Sequence, residues 1–316
     1  MSFNELLQRR LILLTGKGGV GKTTLAASLA MAAERRQKRV ALCEIGGPSQ
    51  LAPLFGAAEV EHEPRSVRDG IALSVLSPER GIRAYLSERI RIPGGVDLVF
   101  KQPAVAKFFR AAPAFSEMGA LYAIVRLLER GGWDHVIVDL PASGHALGML
   151  EAPFEGKRIF RGGPVRALCE SVEQVLLDAR TTATAVVTLA EELPATEAAD
   201  LAENLMSRGF PVGAVVVNAR QRAPLEGEES AALARFEAED EFRPLAEAAR
   251  TASARAARGA AIVEKLAARL GETPLSLSFH PENGMRLLGL LADEMEAQMP
   301  PPNENLTATN VRFERS

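Results

Sequence analysis

The sequence has 316 residues, of which 37 are basic and 40 acidic, and its formal net charge at pH 7 is −3. This near-neutral balance gives no support to a chain that coats nucleic acid or a membrane surface by bulk charge. Two cysteines, Cys43 and Cys169, are too few for a disulfide framework and form no CxxC pair for zinc, iron–sulfur or redox chemistry. We therefore expect a reducing, cytoplasmic location. The polar start at Met1–Arg10 predicts no signal peptide, and no uncharged apolar run is long enough to predict a transmembrane helix.

Short β-branched or leucine-rich runs alternate with longer helical segments along the chain. The predicted strands are Leu11–Thr15, Arg39–Ile45, Ile71–Leu76, Val136–Asp139, Ala183–Leu189, Gly213–Asn218 and Leu275–Ser278. Helical segments with apolar faces, such as the one carrying Leu25, Leu29 and Ala33, lie between them. This alternation predicts an α/β fold with a doubly wound, mostly parallel sheet, and we expect residues 1–299 to form a single domain.

Two intervals, Ser77–Gly132 and Leu150–Thr182, are too long to be single crossovers and are predicted to be helical insertions in the sheet domain. The first is rich in phenylalanine and leucine, which predicts an apolar helical subdomain. Packing in the core is the expected role of these side chains, and a groove for an apolar client is the alternative. Residues 226–270 are predicted to be a solvated helical segment, with a partner-binding arm as the alternative. Residues 300–316 have the composition of a disordered tail.

A phosphate-binding loop follows the first predicted strand. The residues Gly16, Lys17, Gly18, Gly19, Val20, Gly21, Lys22 and Thr23 match the pattern GxxxxGK[ST] in full, between a strand and a helix. Glycines let the backbone N–H groups wrap phosphate oxygens, and Lys22 is expected to contact the β- and γ-phosphates. Thr23 supplies a hydroxyl for Mg²⁺, with Thr24 beside it at the start of the helix. The motif predicts binding of ATP with Mg²⁺; a chance glycine-rich turn would not match every position in this context.

The second lysine of the loop, Lys17, gives the run KGGVGKT, which resembles the deviant Walker A class of P-loop ATPases. In that class the extra lysine reaches the nucleotide of a partner subunit, so the resemblance implies a dimer that closes on its nucleotide. The alternative is that Lys17 contacts phosphate within its own chain.

The predicted strand Val136–Asp139 ends in an acid, where P-loop NTPases place the residue that holds Mg²⁺ through water, and Asp139 is predicted to do so. The segment that follows, with Ser143, Gly144 and His145, is similar to the D-x-x-P-T-G-H-x-L segment of the arsenite-pump and tail-anchored-protein-targeting ATPases. Its proline is shifted by one place, and serine replaces threonine. Partition and septum-site ATPases lack the Gly-His pair, so the resemblance favours the arsenite-pump branch.

The same resemblance implies where the adenine lies. Asn218 ends a predicted strand, and its amide offers the paired donor and acceptor that suit the adenine edge; a cap on the strand end is the alternative. Pro274, at the start of the last predicted strand, leads toward the segment that resembles the family's adenine-flanking loop and is assigned to the nucleotide as well.

The chain departs from the family at two points. Gly46 stands where the family carries the aspartate that orients the attacking water, and Glu44 is the nearest acid that could replace it. Hydrolysis is therefore expected to be slow, to use Glu44, or to depend on a partner subunit. The two cysteines fit neither an arsenite site nor a zinc-bridged dimer, so zinc is not expected as a cofactor.

These observations lead to one main hypothesis, an ATP-hydrolysing dimeric switch that couples its MgATP state to dimer closure and to a client or partner at the helical subdomain. The dimer could be a homodimer or a heterodimer with a related ATPase. A partition- or septum-type positioning ATPase is one alternative, although no basic or amphipathic terminal helix supports it and no DNA partner is expected. A hydrolysis-deficient subunit of a heterodimer is the other, and Gly46 favours it.

Overall fold

The computed structural model describes residues 2–89, 96–97, 101, 113–224 and 242–300. Its strands are β1 (Leu11–Gly16), β2 (Val40–Ile45), β3 (Arg65–Arg68), β4 (Ile71–Leu76), β5 (His135–Asp139), β6 (Thr182–Leu189), β7 (Val212–Arg220) and β8 (Leu275–Ser278). The predicted α/β fold is confirmed, and every predicted strand is present within a few residues. The sequence analysis missed β3, because this strand is short and exposed and carries no apolar alternation.

The strands form one sheet in the order β3-β4-β2-β5-β1-β6-β7-β8. All neighbouring pairs are parallel except β3 with β4. The central strands are buried on both faces, which explains why they are continuous apolar runs. Because parallel strands run in the same direction, their carboxyl ends meet at one edge, where ligands of open α/β sheets bind.

Helices cover both faces of this sheet. They are α1 (Phe3–Leu6), α2 (Lys22–Arg35), α3 (Leu51–Leu54), α4 (Pro78–Arg89), α5 (Pro113–Arg130), α6 (Ser143–Ile159), α7 (Gly163–Leu177), α8 (Glu192–Ser207), α9 (Arg243–Leu270) and α10 (Gly284–Ala297). Side chains of α1, α2, α3 and α10 share one apolar core, and those of α4 to α9 share the other. Successive residues of β1 contribute to the two cores alternately. Leu11 and Leu13 belong to the core formed with α4 to α9, whereas Ile12 and Leu14 belong to the core formed with α2.

The two long intervals are helical where the structure describes them. The first contains α4 and α5, and the second contains α7 with the later part of α6. Apolar side chains of α5, such as Met118 and Leu121, lie in the same core as Val138 of the sheet. The predicted tail from residue 301 onward and the first part of the 226–270 segment lie outside the described residues, and the rest of that segment is α9. Within the described ranges, no helix combines the length and the hydropathy needed to cross a membrane.

Helices α4 and α5 approach each other backbone to backbone at two glycines. A Cβ atom added to Gly81 would lie 1.9 Å from the carbonyl oxygen of Gly119, and one added to Gly119 would lie 2.0 Å from the carbonyl oxygen of Pro78. Neither contact can be relieved by turning a side chain, because both involve the main chain. The close crossing of these helices therefore requires glycine at both positions.

We expect Gly81→Ala and Gly119→Ala to destabilise the protein by about 1–3 kcal/mol each, since the added methyl group overpacks a helix crossing. Gly148→Ala is the matched control, because Gly148 lies within α6 with open space around its Cβ position. In that helix the change should stabilise by roughly 0.5–1 kcal/mol. Urea unfolding followed by circular dichroism measures all three, and destabilisation by Gly148→Ala equal to that by Gly81→Ala would contradict the account.

Candidate functional site

The glycine-rich loop crosses the carboxyl edge of the sheet between β1 and α2. Two of its glycines are required by close contacts as well as by positive φ angles. A Cβ on Gly16 (φ 149°) would lie 2.2 Å from the carbonyl oxygen of Val187, and one on Gly21 (φ 89°) would lie 2.3 Å from Nδ2 of Asn218. The loop is thus pressed against the ends of β6 and β7, and α2 begins directly after it at Lys22. A helix N-terminus that follows such a loop attracts phosphate groups.

The lysine of the motif lies across this loop. Lys22 Nζ donates a hydrogen bond to the carbonyl oxygen of Lys17 at 3.1 Å, which folds its side chain back over the loop. Burial lowers the pKa of Lys22, and the charge of Asp139 partly opposes that shift. The ammonium group therefore stands between the phosphate loop and an acid of a neighbouring strand.

Asp139 and Thr23 are brought together at the same edge. Strand β5 lies between β1 and β2, with Asp139 level with Leu14 on one side and with Glu44 on the other. Thr23, in the first turn of α2, donates its hydroxyl to Oδ2 of Asp139 at 2.5 Å. The other carboxylate oxygen, Oδ1, is buried and has no partner among the described residues.

The surroundings of Asp139 favour a bound cation. Burial raises the pKa of Asp139 to about 6, with Thr23 and Lys22 lowering it and Glu44 raising it. A buried carboxylate oxygen without a partner and an adjacent hydroxyl are hard oxygen ligands of the kind that Mg²⁺ prefers. Mg²⁺ usually keeps waters and phosphate oxygens among its ligands, so it needs few protein side chains. The residues therefore fit the predicted Mg²⁺ ion.

Glu44 is buried and serves as a cap for α3. Its carboxylate accepts hydrogen bonds from the Ser49 hydroxyl, from the N–H of Gln50 at 2.9 Å and from the N–H of Leu51 at 3.3 Å. Gly46 and Gly47 lie between these groups with φ angles of 60° and 71°, and the N–H of Gly46 donates to the carbonyl oxygen of Leu76. Both oxygens of Glu44 are thus engaged in holding the loop of residues 46–50.

The two residues assigned to adenine belong to neighbouring parts of the sheet. Asn218 is next to the phosphate loop, where its Nδ2 donates to the carbonyl oxygen of Val20 at 3.0 Å. Pro274 is buried and comes directly before β8, whose Leu275 pairs with Val216, so it is level with the middle of the neighbouring strand β7. Its assignment to the nucleotide stays a prediction. Phe279 and His280 directly follow β8, so they lie at the carboxyl edge of the sheet, the same edge as the phosphate loop.

Lys17 has a partner that the sequence analysis missed. Its Nζ lies 2.8 Å from Oε1 of Glu197 on α8, and both side chains are a little over one third exposed. The two residues are 180 positions apart, so no local pattern could have paired them. The helix after β6 carries several acidic residues, and its sequence does not distinguish Glu197 from the others.

Comparisons with known proteins identify relatives of this chain. A sequence model of the anion-transporting ATPase family matches residues 9–162. The ATPase BagA of Mycobacterium tuberculosis is 30% identical over 239 residues, which cover 72% of this chain and 70% of that protein. This chain belongs to the anion-transporting ATPase family. An arsenical pump-driving ATPase of Escherichia coli is 28% identical over 221 residues, 68% of this chain but 36% of that protein. The predicted resemblance to arsenite-pump ATPases is therefore confirmed.

The pKa of Asp139 gives a test of the site's electrostatics. Because burial raises this pKa from 3.8 to about 6, the ionised carboxylate destabilises the folded protein, and stability falls as pH rises between those values. Without Mg²⁺, Asp139→Asn should raise the free energy of unfolding by about 1–3 kcal/mol at pH 7.5 and by less at pH 5. Thermal unfolding at the two pH values measures the difference.

Asp178→Asn is the control of opposite sign. Hydrogen bonds from Thr181 and Arg180 lower the pKa of Asp178, so its ionised form stabilises the folded chain. This variant should lose stability at pH 7.5. A gain from Asp139→Asn that is the same at pH 5 and pH 7.5 would show that the carboxylate's charge is not the cause.

Proposed function

We propose that this protein binds MgATP at the carboxyl edge of the sheet, hydrolyses it, and closes as a dimer whose state is transmitted to a client or partner at the helical layer. The observation that carries the proposal is the meeting of Lys22, Thr23 and Asp139 beside a complete phosphate loop. Family membership supports an ATPase. The two cysteines are buried and free, which is consistent with a cytoplasmic location.

Each residue has a distinct part in this proposal. Backbone N–H groups from Gly16 to Thr24 cradle the phosphates, and Lys22 neutralises charge on the β- and γ-phosphates. Thr23 and Asp139 would hold Mg²⁺, the first by its hydroxyl and the second by its carboxylate. The bound ion would neutralise charge that develops on the phosphates. Asn218 faces the adenine while bonding the loop at Val20, so it links base binding to loop position.

The contacts of Glu44 support a positioning role for this residue. A general base must have an oxygen free to accept a proton from water, whereas Glu44 accepts hydrogen bonds from Ser49, Gln50 and Leu51. In the proposal Glu44 holds the loop of residues 46–50, and the absence of an acid at Gly46 makes hydrolysis slow. Gly46 also favours the second candidate, a hydrolysis-deficient subunit that acts beside an intact ATPase.

The proposed dimer, which closes in response to ATP, competes with the contact of Lys17 with Glu197. Lys17 is paired within its own chain, so reaching a partner's nucleotide requires that this ion pair break. Pairs this exposed stabilise by about 0–1 kcal/mol, which the triphosphate of a partner subunit readily exceeds. Glu197 would then compete with the partner's phosphates for the lysine.

Steady-state ATP turnover tests the hydrolytic part. The wild-type protein should hydrolyse ATP slowly, and Lys22→Ala should lose turnover. Gly46→Asp should raise kcat by about tenfold or more, since an oriented acid contributes on that scale. The φ angle of 60° at Gly46 is one that aspartate tolerates, and the space around its Cβ position is open.

Gly47→Asp is the matched control, because Gly47 has a similar φ angle of 71° and equally open space. It should leave turnover unchanged. Equal activation by both substitutions would mean that an added charge, and not an acid at the water-orienting position, is responsible. Binding of ATP without turnover in wild type and in Gly46→Asp would favour the hydrolysis-deficient subunit.

Sedimentation velocity with and without a non-hydrolysable ATP analogue tests the dimer. Lys17→Ala should abolish nucleotide-dependent dimerisation, whereas Glu197→Gln should strengthen it by up to about fivefold, since the competing pair is removed. Glu203→Gln removes the same charge from α8 at a site that pairs with Arg269, and it should behave like wild type. Weakened dimerisation in Glu197→Gln would contradict competition by Glu197.

A further inference from the structure

A second cavity lies away from the phosphate loop, in the helical layer. It occupies about 180 Å³ between α4 and α5 at the carboxyl end of β4. Its wall includes Gly81, at the close crossing of the two helices, and the small side chains of Ala84 and Ala123. No residue of the phosphate loop is among its described walls.

Basic side chains dominate the polar part of this cavity. Arg80, Arg126 and Arg130 line it together with a single carboxylate, Glu63. Glu63 pairs with Arg130 at 3.0 Å, and Arg126 pairs with glutamates that lie outside the cavity wall. Arg80 is exposed and has no carboxylate within ion-pair distance in the described part of the chain, so no protein carboxylate competes with an anion for it there.

Two further N–H donors belong to the cavity wall. Arg126 Nε is buried and has no acceptor among the described residues. His62 Nδ1 accepts the N–H of Ser77 at 2.9 Å, so the proton of the neutral ring is on Nε2. Burial lowers the pKa of His62, and the positive charges of Arg80 and Arg130 lower it further while Glu63 opposes them, which keeps the ring neutral near pH 7. Donors therefore exceed acceptors along the described wall of this cavity, which is partly open to solvent.

We propose that this cavity binds a small oxyanion, either phosphate or a compact carboxylate. Its oxygens would accept from Arg126 Nε and from His62, while its charge compensates Arg80. The volume restricts the ligand, since cavities that take whole organic ligands begin at about 300 Å³. A nucleotide is thus too large. This site is separate from ATP binding and would stand if the proposed function failed.

Side-chain NMR of the full-length protein tests this proposal. The Arg126 Nε–H signal, assigned by its loss in Arg126→Lys, should shift saturably with sodium phosphate or sodium succinate and not with sodium chloride at equal ionic strength. A saturable shift with either anion supports the proposal. The anion that binds more tightly shows whether the natural ligand is a phosphate or a carboxylate. The shift should persist in Lys22→Ala, which removes the loop lysine that would otherwise attract phosphate.

Arg80→Gln should weaken anion binding about tenfold, the effect of losing one charged hydrogen-bond donor. Arg83→Gln is the matched control, because Arg83 is on the same helix, pairs with Glu79 and does not line the cavity. Ala84→Leu fills the cavity and should abolish binding, with thermal unfolding confirming that it folds. The proposal is overturned if no anion gives a saturable shift, if Arg80→Gln and Arg83→Gln weaken binding equally, or if folded Ala84→Leu binds normally.

Discussion

The hydrogen bond from Thr23 to Asp139 joins the two parts on which the site depends. Thr23 belongs to the first turn of α2 and therefore moves with the phosphate loop, whereas Asp139 is fixed by its place between β1 and β2. This contact sets the spacing between the loop and the sheet edge. It uses one carboxylate oxygen and leaves the other buried and unpartnered, which is costly unless a cation is bound nearby. The fold thus retains an electrostatic cost at the point where Mg²⁺ would remove it.

Two glutamates hold groups that lie beside this site. Glu44 holds the loop of residues 46–50 through side-chain and main-chain donors, and Glu197 holds the side chain of Lys17. The first contact joins residues close in sequence, whereas the second joins residues 180 positions apart. In the proposed function they determine how readily the water-orienting loop and the dimer-forming lysine change partners. Small electrostatic differences at the edge of the sheet would thereby become changes of assembly.

The sequence predicts the features whose causes are local. Strands buried on both faces are continuous apolar runs, so seven of the eight described strands were found, and only the exposed β3 was missed. The phosphate loop is a contiguous motif whose glycines are required by contacts such as Gly16 against Val187. Contacts between residues far apart in the chain produce no local sequence pattern, so the sequence did not predict them. The pairing of Lys17 with Glu197 and the cavity between α4 and α5 both depend on tertiary packing.

A crystal structure with Mn²⁺ and a non-hydrolysable ATP analogue tests the central claim, that Thr23 and Asp139 together hold the metal of the nucleotide. Anomalous scattering locates Mn²⁺, which takes the same oxygen ligands as Mg²⁺. The account predicts a peak at about 2.1–2.2 Å from the Thr23 hydroxyl oxygen, with a water between the metal and the Asp139 carboxylate. A nucleotide bound with its metal distant from both residues would contradict it.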